Sequence, residues 1–284
     1  MVYPIWQVGL DIQHDMVRAL AVQRRRHGWQ LRDWWQLPLP DETLRGASLH
    51  HPEALCTVLR QWRKGLPRYI SLRVGFPASR VLLQRLAIPD PRLREPYRGG
   101  YIRSRMAQLL PVGVEDIALD YRPDPQAPES LLVIAARQTE LNAWLHCLTQ
   151  AGLRADSVDI TPCALRCMAA FAGLAQDRLL IHRVSDHWLW VSPLNEPLAF
   201  GTLHSDEIAD ESTLLTAVNA RYQQSEWRDA YLSATREPPM QQGTSGLLDW
   251  SVLGAFHIHP PLPANPAAFA IAAGLAVRAE DSLC

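Results

Sequence analysis

Apolar and polar positions alternate from Val8 to Ile12, with Val8, Leu10 and Ile12 set against Gly9 and Asp11. A short polar turn, His14-Asp15, separates this run from a second strand-like run, Met16 to Val22, and the pair predicts a β-hairpin. A third β-rich run, Trp29 to Leu37, follows a turn ending in Gly28, so the opening predicts a three-stranded antiparallel meander with one inward-set carboxylate, Asp11. Pro52 then stands at the first position of a helix whose Leu55, Val58, Leu59 and Trp62 share one face. A strand, Ile70 to Val74, closes the unit.

The same order recurs later. Leu179 to Val184, Trp188 to Val191 and Leu198 to Thr202 repeat the three strands, Glu211 to Gln224 the helix, and Asp229 to Ser233 the closing strand. The offset between copies is 171 residues at the first two strands and drifts to 159 at the helix and last strand. Two copies of one βββαβ unit are the economical explanation, with chance similarity of short strands as the alternative. The predicted fold class is α/β: an actin-like, ribonuclease-H-like pair of lobes.

Between the copies lies a surplus. It reads as a strand at Val81 to Ile88, an arginine-rich helix around Leu93 to Leu110, and strands at Ile117 to Tyr121 and Leu131 to Ala136 joined by a proline-rich loop, Pro123 to Pro128. A helix from Glu140, with Leu141, Trp144, Leu145 and Leu148 on one stripe, ends at Gly152. The expected organisation is a first lobe at 1–74 completed by 154–177, an inserted α+β subdomain at 75–153, and a second lobe at 178–284. Ser157 to Ile160 returns to the first lobe as a strand, and Thr161-Pro162 starts a helix as cap and first position. A last helix, from about Asn265-Pro266, completes the second lobe or packs between the two.

Hydrophobic residues at 48% and charged ones at 20% describe an ordinary folded chain, and a net charge of -1 gives no global reason for nucleic-acid or membrane binding. The longest apolar run, Ala267 to Val277, is about half the length a spanning helix needs. The first residues lack the pattern of a secretory leader, so the expected location is the cytoplasm. Five cysteines without metal-type clustering read as buried, reduced thiols, although Cys163 and Cys167 are spaced to share a ligand. His50-His51 and His257-Ile258-His259 read as loop histidines.

The sequence resembles the PilM family of type IV pilus and competence assembly proteins, whose actin-like fold is related to the cell-division protein FtsA. The resemblance rests on Val8 to Ile12, on the segment Gly75 to Pro89, on Ala118 to Tyr121, on Ser157 to Leu165 and on Ala272 to Arg278, in family order. It points to the divergent enterobacterial branch associated with use of external DNA. It implies an assembly scaffold with no catalytic residues, placed at the inner face of the inner membrane by gripping the N-terminal tail of a PilN-type single-span partner. The implied tail site is a groove between the first lobe and the insert, near Phe76, Arg80, Leu83, Arg85 and Arg103.

Nucleotide-binding members have Asp-Ile-Gly and a hydroxyl residue in the first hairpin, where glycine lets backbone N–H groups approach a phosphate. Here Asp11-Ile12 is followed by Gln13-His14, the second hairpin carries His182-Arg183-Val184, and Ala234 and Thr235 replace the adenosine-side glycines. Asp11, Gln13 and His182 therefore read as a remnant cleft, with no cofactor and no metal expected. The alternative is an ATP- and magnesium-binding switch of the same fold. A third reading combines Asp11, Asp15 and Asp159 into a ribonuclease-H-type nuclease, which needs clustered carboxylates for divalent ions. The cluster Arg92, Arg94, Arg98, Arg103 and Arg105 reads either as a solvated helix face or as a contact for anionic lipid or a carboxylate-bearing partner. No direct DNA contact is expected, and the sequence is silent on self-association.

Overall fold

The computed structural model describes residues 5–87, 90, 92–110, 113–124, 127–208, 211–221, 227–235, 246–258 and 261–279. The opening meander forms as β1 (Trp6–Ile12), β2 (Met16–Arg25) and β3 (Gly28–Pro38), followed by a short hairpin, β4 (Leu44–Arg45) and β5 (Ser48–Leu49), then α1 (Pro52–Arg63) and β6 (Ile70–Phe76). With β10 (Ala155–Ile160) these strands make a five-stranded sheet ordered β10-β6-β1-β2-β3, antiparallel among the first three strands and parallel from β1 through β6 to β10. The second copy comprises β11 (Leu179–Arg183), β12 (His187–Val191), β13 (Phe200–His204), α5 (Glu211–Arg221), β14 (Ala230–Ala234) and β15 (Leu247–Asp249). Its sheet is ordered β13-β12-β11-β14-β15, the same plan with the same directions. The hairpins superimpose by register: Gln13 N donates to Met16 O in one and Val184 N to His187 O in the other, each 2.9 Å. Asp11 is therefore the counterpart of His182, and Gln13 of Val184.

Successive strand residues point to opposite faces, and β3 uses this directly. Trp34 packs edge-on against Phe269 at 5.7 Å, and Trp35 packs edge-on against Trp62 of α1 at 5.6 Å, so the first sheet is covered on both sides. Its outer edge is covered as well, because His257 N donates to Trp29 O (2.8 Å) and Leu31 N to His257 O (3.0 Å), while the imidazole meets His27 O. His257 is thus not a free loop histidine, and His259 lies outside the described residues. In the second sheet Trp188 and Trp190 share a face with Leu214 and Val218 of α5.

Of the two placements expected for the last helix, completion of the second lobe is not the one found. A single turn at Pro266–Phe269 leads into α6 (Ala270–Val277), which packs on β1, β2 and β6 of the first sheet and against α4 (Thr161–Phe171), so it does not complete the second lobe. Two glycines permit this approach: a Cβ on Gly9 would lie 1.9 Å from Ala272 O, and one on Gly274 would lie 1.9 Å from Ala164 O. Arg73, buried in β6, donates to Ala276 O (2.8 Å) at the helix's C-terminal end, where a cation is favoured. α4 begins one residue earlier than expected, with Ile160 at the N-cap and Thr161-Pro162 in the first turn. Both sheets, α1, α4, α5 and α6 belong to one compact unit, which comprises residues up to Ser79 and those from Cys147 onward.

The other compact unit is Arg80–His146, narrower than the expected 75–153. It holds β7 (Val81–Ala87), α2 (Tyr97–Ala107), β8 (Ile117–Asp124) and β9 (Ala127–Arg137), and α3 (Gln138–Gln150) begins in it. Its sheet is antiparallel, ordered β7-β9-β8. Ile102 and Met106, four apart on α2, pack on Leu131, Val133 and Ala135 of β9 and on Leu82 and Leu86 of β7. The expected proline-rich loop is mostly ladder: Pro123 pairs with Leu131 and Asp124 with Ala127 on an edge strand, where the missing N–H of proline is tolerated. The arginine-rich helix starts later than predicted because Pro96 stands at its N-cap, and it ends at Ala107.

Candidate functional site

The two hairpin turns face one another in the first unit and enclose a cavity of about 150 Å³. Asp11, Gln13 and His14 line it from one hairpin, Val184, Asp186 and His187 from the other, with Ser79, Thr161 and His204 at its walls. The tips touch through Ser185 Oγ donating to Asp15 Oδ1 at 3.3 Å. Beneath the cavity lies a buried polar chain. Gln13 Nε2 donates to Asp11 Oδ2 (2.6 Å), and Arg18 Nη1 donates to Gln13 Oε1 (2.5 Å), with Arg18 directly opposite Asp11 across the β1–β2 ladder. Arg18 is 4% exposed. A buried carboxylate and a buried guanidinium are tolerable together because each offsets the other's lost hydration.

His182 occupies the position of Asp11 in the second sheet and is fully buried. Ser233 Oγ donates to Ile181 O (3.3 Å), so the His182 Nδ1–H donates to Ser233 Oγ (2.8 Å) and the bare Nε2 stays in the interior without a hydrogen-bond partner. Burial, with Arg18 and His187 adding to it, pushes the imidazole down to about 3. Burial pushes the Asp11 carboxyl up to about 6, against the opposing pull of Arg18 and Gln13. At neutral pH Asp11 is charged and His182 is not.

Opposite pH signatures follow. The native carboxyl of Asp11 holds a proton that the unfolded one, at its ordinary 3.8, releases, so its destabilising charge is absent below about 4 and complete above about 6. Asp11→Asn should gain stability over the wild type as pH rises through that window, by on the order of 3 kcal/mol. His182 stays neutral while its unfolded form protonates below 6.5, so stability is lost as pH falls from 6.5 toward 3. His182→Asn should remove that loss. Urea titrations of both variants across this range read the two slopes, and curves parallel to the wild type would show that neither group titrates as described.

The residues expected at a partner tail do not all converge. Phe76 is 3% exposed inside the first unit and offers a ligand no open surface. In the second unit Leu83 and Arg85 share the face of β7 opposite Leu82 and Leu86, hence the face away from α2. Arg80 donates through Nε to Glu140 Oε2 (2.7 Å) and through Nη2 to Oε1, which ties the start of β7 to α3. Arg85 Nε holds Asp124 Oδ2 at 2.8 Å. Arg103 sits on α2 and donates to Ile117 O, so it does not join Leu83 and Arg85. Asp159 pairs with Arg278 at 3.2 Å, and Asp11, Asp15 and Asp159 form no common cluster; among the described residues no group of three His, Cys, Asp or Glu is placed to hold a metal ion.

Sequence reasoning missed Arg18. The signal was a lone arginine inside a run, Val17 to Gln23, that proves buried on both faces.

The family model described as type IV pilus assembly protein PilM matches residues 9–178, more than half of the chain. The DNA utilization protein HofM of Escherichia coli (strain K12) is 27% identical over 279 residues, covering 98% of this chain and 98% of HofM. Among solved structures, a chain of the PilM-PilN type IV pilus biogenesis complex matches with a TM-score of 0.76 at 18% identity, covering 97% of this chain and 98% of that one. The cytoplasmic domain of EpsL, an inner membrane component of the type II secretion system of Vibrio cholerae, matches with a TM-score of 0.58 at 13% identity and 93% coverage of both chains.

Proposed function

The chain belongs to the type IV pilus assembly protein PilM family and has an actin-like fold, and from that premise we propose a non-enzymatic scaffold for a pilus or DNA-uptake platform. Its partner in this reading is the N-terminal cytoplasmic tail of a PilN-type inner-membrane protein, which keeps the chain at the inner face of that membrane. The observation that carries the partner is the end-to-end likeness to a chain of the PilM-PilN complex. In support, β7 is an edge strand that pairs only with β9 among the described residues, so an extended tail can add to it by main-chain hydrogen bonds. Leu83 and Arg85 give that edge an apolar and a cationic position on one face, and Arg80 holds the strand in place through Glu140.

We further infer that the nucleotide site is degenerate, because the residues present do not fit a magnesium nucleotide. Of the two carboxylates that line the cleft, Asp11 is engaged by Gln13 and Asp186 by the His187 imidazole, the counterpart of Asp11 is a neutral histidine, and side chains stand at both turns where phosphate approach favours glycine. Thr235 N is already bonded to Arg183 O at 2.9 Å. The cavity, near 150 Å³, is below the ~300–1,000 Å³ usual for ligand pockets.

Calorimetry tests both parts with the full chain. A synthetic partner-tail peptide should bind, about tenfold or more weakly after Leu83→Asp, since a buried apolar contact and a strand edge are both spoiled. Asp11→Ala should leave that affinity unchanged, and magnesium-ATP should give no heat. Nucleotide binding that Asp11→Ala abolishes would instead support the ATP-switch reading.

A further inference from the structure

The arginines before and along α2 belong to neither the cleft nor the β7 edge. Ile102 and Met106 turn one face of this helix into the core, which leaves Tyr97, Tyr101, Arg105 and Gln108 outward at helical spacing. Tyr97 is 76% exposed and Tyr101 38%, the former the most exposed large hydrophobic side chain among the described residues. Five arginines stand against one carboxylate, Glu95, between Arg92 and Arg105. Glu95 is itself occupied, accepting Tyr121 OH on Oε1 and Gly99 N on Oε2 at 3.2 Å. Among the described residues Arg92, Arg94 and Arg105 make no ion pair, and Arg105 Nη1 meets only the neutral Gln108 Oε1 at 3.0 Å. The charge is segregated, not global, because Arg80–His146 as a whole contains nine arginines and eight carboxylates.

We propose that the outward face of α2, with Arg92 and Arg94 beside it, is a docking surface for a bilayer containing anionic phospholipids. Unscreened guanidinium groups complement phosphate headgroups, and amphipathic tyrosines suit the boundary between headgroup and acyl chain. A convex helix face seats a broad surface better than it encloses a peptide. The inference does not rest on the tail-binding reading: the arginines involved lie off the β7 edge.

The test is flotation of the full chain with phosphatidylcholine vesicles, with and without phosphatidylglycerol. Binding should appear with the anionic vesicles, fall as salt rises, and drop about fivefold for each arginine lost, so that Arg92→Glu/Arg94→Glu/Arg105→Glu abolishes it. Tyr97→Ser/Tyr101→Ser should weaken binding and keep its salt dependence. Since all five side chains are surface residues, unchanged circular dichroism and unchanged tail-peptide affinity would mark these variants as folded. Equal binding to neutral vesicles, no flotation at all, flotation of the triple variant at the wild-type level, or tighter binding to a DNA duplex than to anionic vesicles would each overturn the proposal. A chain that fails here yet binds the tail peptide leaves the partner reading intact.

Discussion

Gly274→Ala is expected to cost about 3 kcal/mol or more, at the upper end of overpacking effects and a large share of an ordinary domain's stability. The added Cβ would stand 1.9 Å from the Ala164 carbonyl oxygen and 2.7 Å from its carbon, so backbone and not a flexible side chain must yield. α6 cannot retreat, because its opposite side lies on β1 at Gly9, where a Cβ would lie 1.9 Å from Ala272 O and 2.7 Å from Ala276 N. Gly9→Ala should therefore be comparably harmful, and the double variant should not fold. Gly100→Ala is the contrast: it lies inside α2 with nothing within 4 Å of its Cβ, and should raise stability by roughly 0.5–1 kcal/mol. Urea denaturation of the single variants decides the matter. Equal effects at Gly274 and Gly100 would mean that helix propensity, not close approach, governs both.

The repeat was legible because hairpins state their register locally. The offset of 171 residues at the first two strands matched Asp11 to His182, and the equivalent turn bonds at Gln13 and Val184 are its physical basis. The partners of α6 were not legible. An eight-residue helix buried all round has no amphipathic stripe to say which sheet receives it, and the glycines that admit it are informative only once their neighbours are known. β15 was missed for a related reason: three residues, two of them exposed, are too few to show a period. In the cleft, composition revealed the missing glycines, but the Asp11–Gln13–Arg18 chain is a cross-strand fact, since Arg18 reaches the site only through the antiparallel register of β1 and β2. At the tail site the pattern placed Leu83 and Arg85 on one strand face. The burial of Phe76 and the attachment of Arg103 to Ile117 O depend on tertiary packing that no local spacing encodes.

Arg166 should prove to be the clamp between the two sheets. It projects from α4, which continues directly from β10 of the first sheet, and it donates to Ser192 Oγ (3.1 Å), Leu194 O (2.8 Å) and Glu196 O (3.1 Å) in the β12–β13 connection of the second. That connection is organised from the same point, since Ser192 Oγ donates to Pro197 O (2.7 Å) and accepts from Ala199 N (2.9 Å). Hydrogen bonds from a charged donor contribute about 1.5–3 kcal/mol each, and water recovers part of the loss, so Arg166→Ala should cost about 3 kcal/mol in total. Arg166→Lys should recover only a fraction, because an ammonium cannot span three acceptors as the planar fork does. The cost should also fall unequally on the lobes. Trp34, Trp35 and Trp62 report on the first sheet and Trp188, Trp190 and Trp227 on the second, so single-tryptophan probes can follow each one. With Arg166→Ala the second sheet should unfold at lower urea than the first, splitting a transition expected to be concerted in the wild type. Coincident transitions and a loss under about 1 kcal/mol would show that packing of α4 and α6 couples the lobes without the guanidinium.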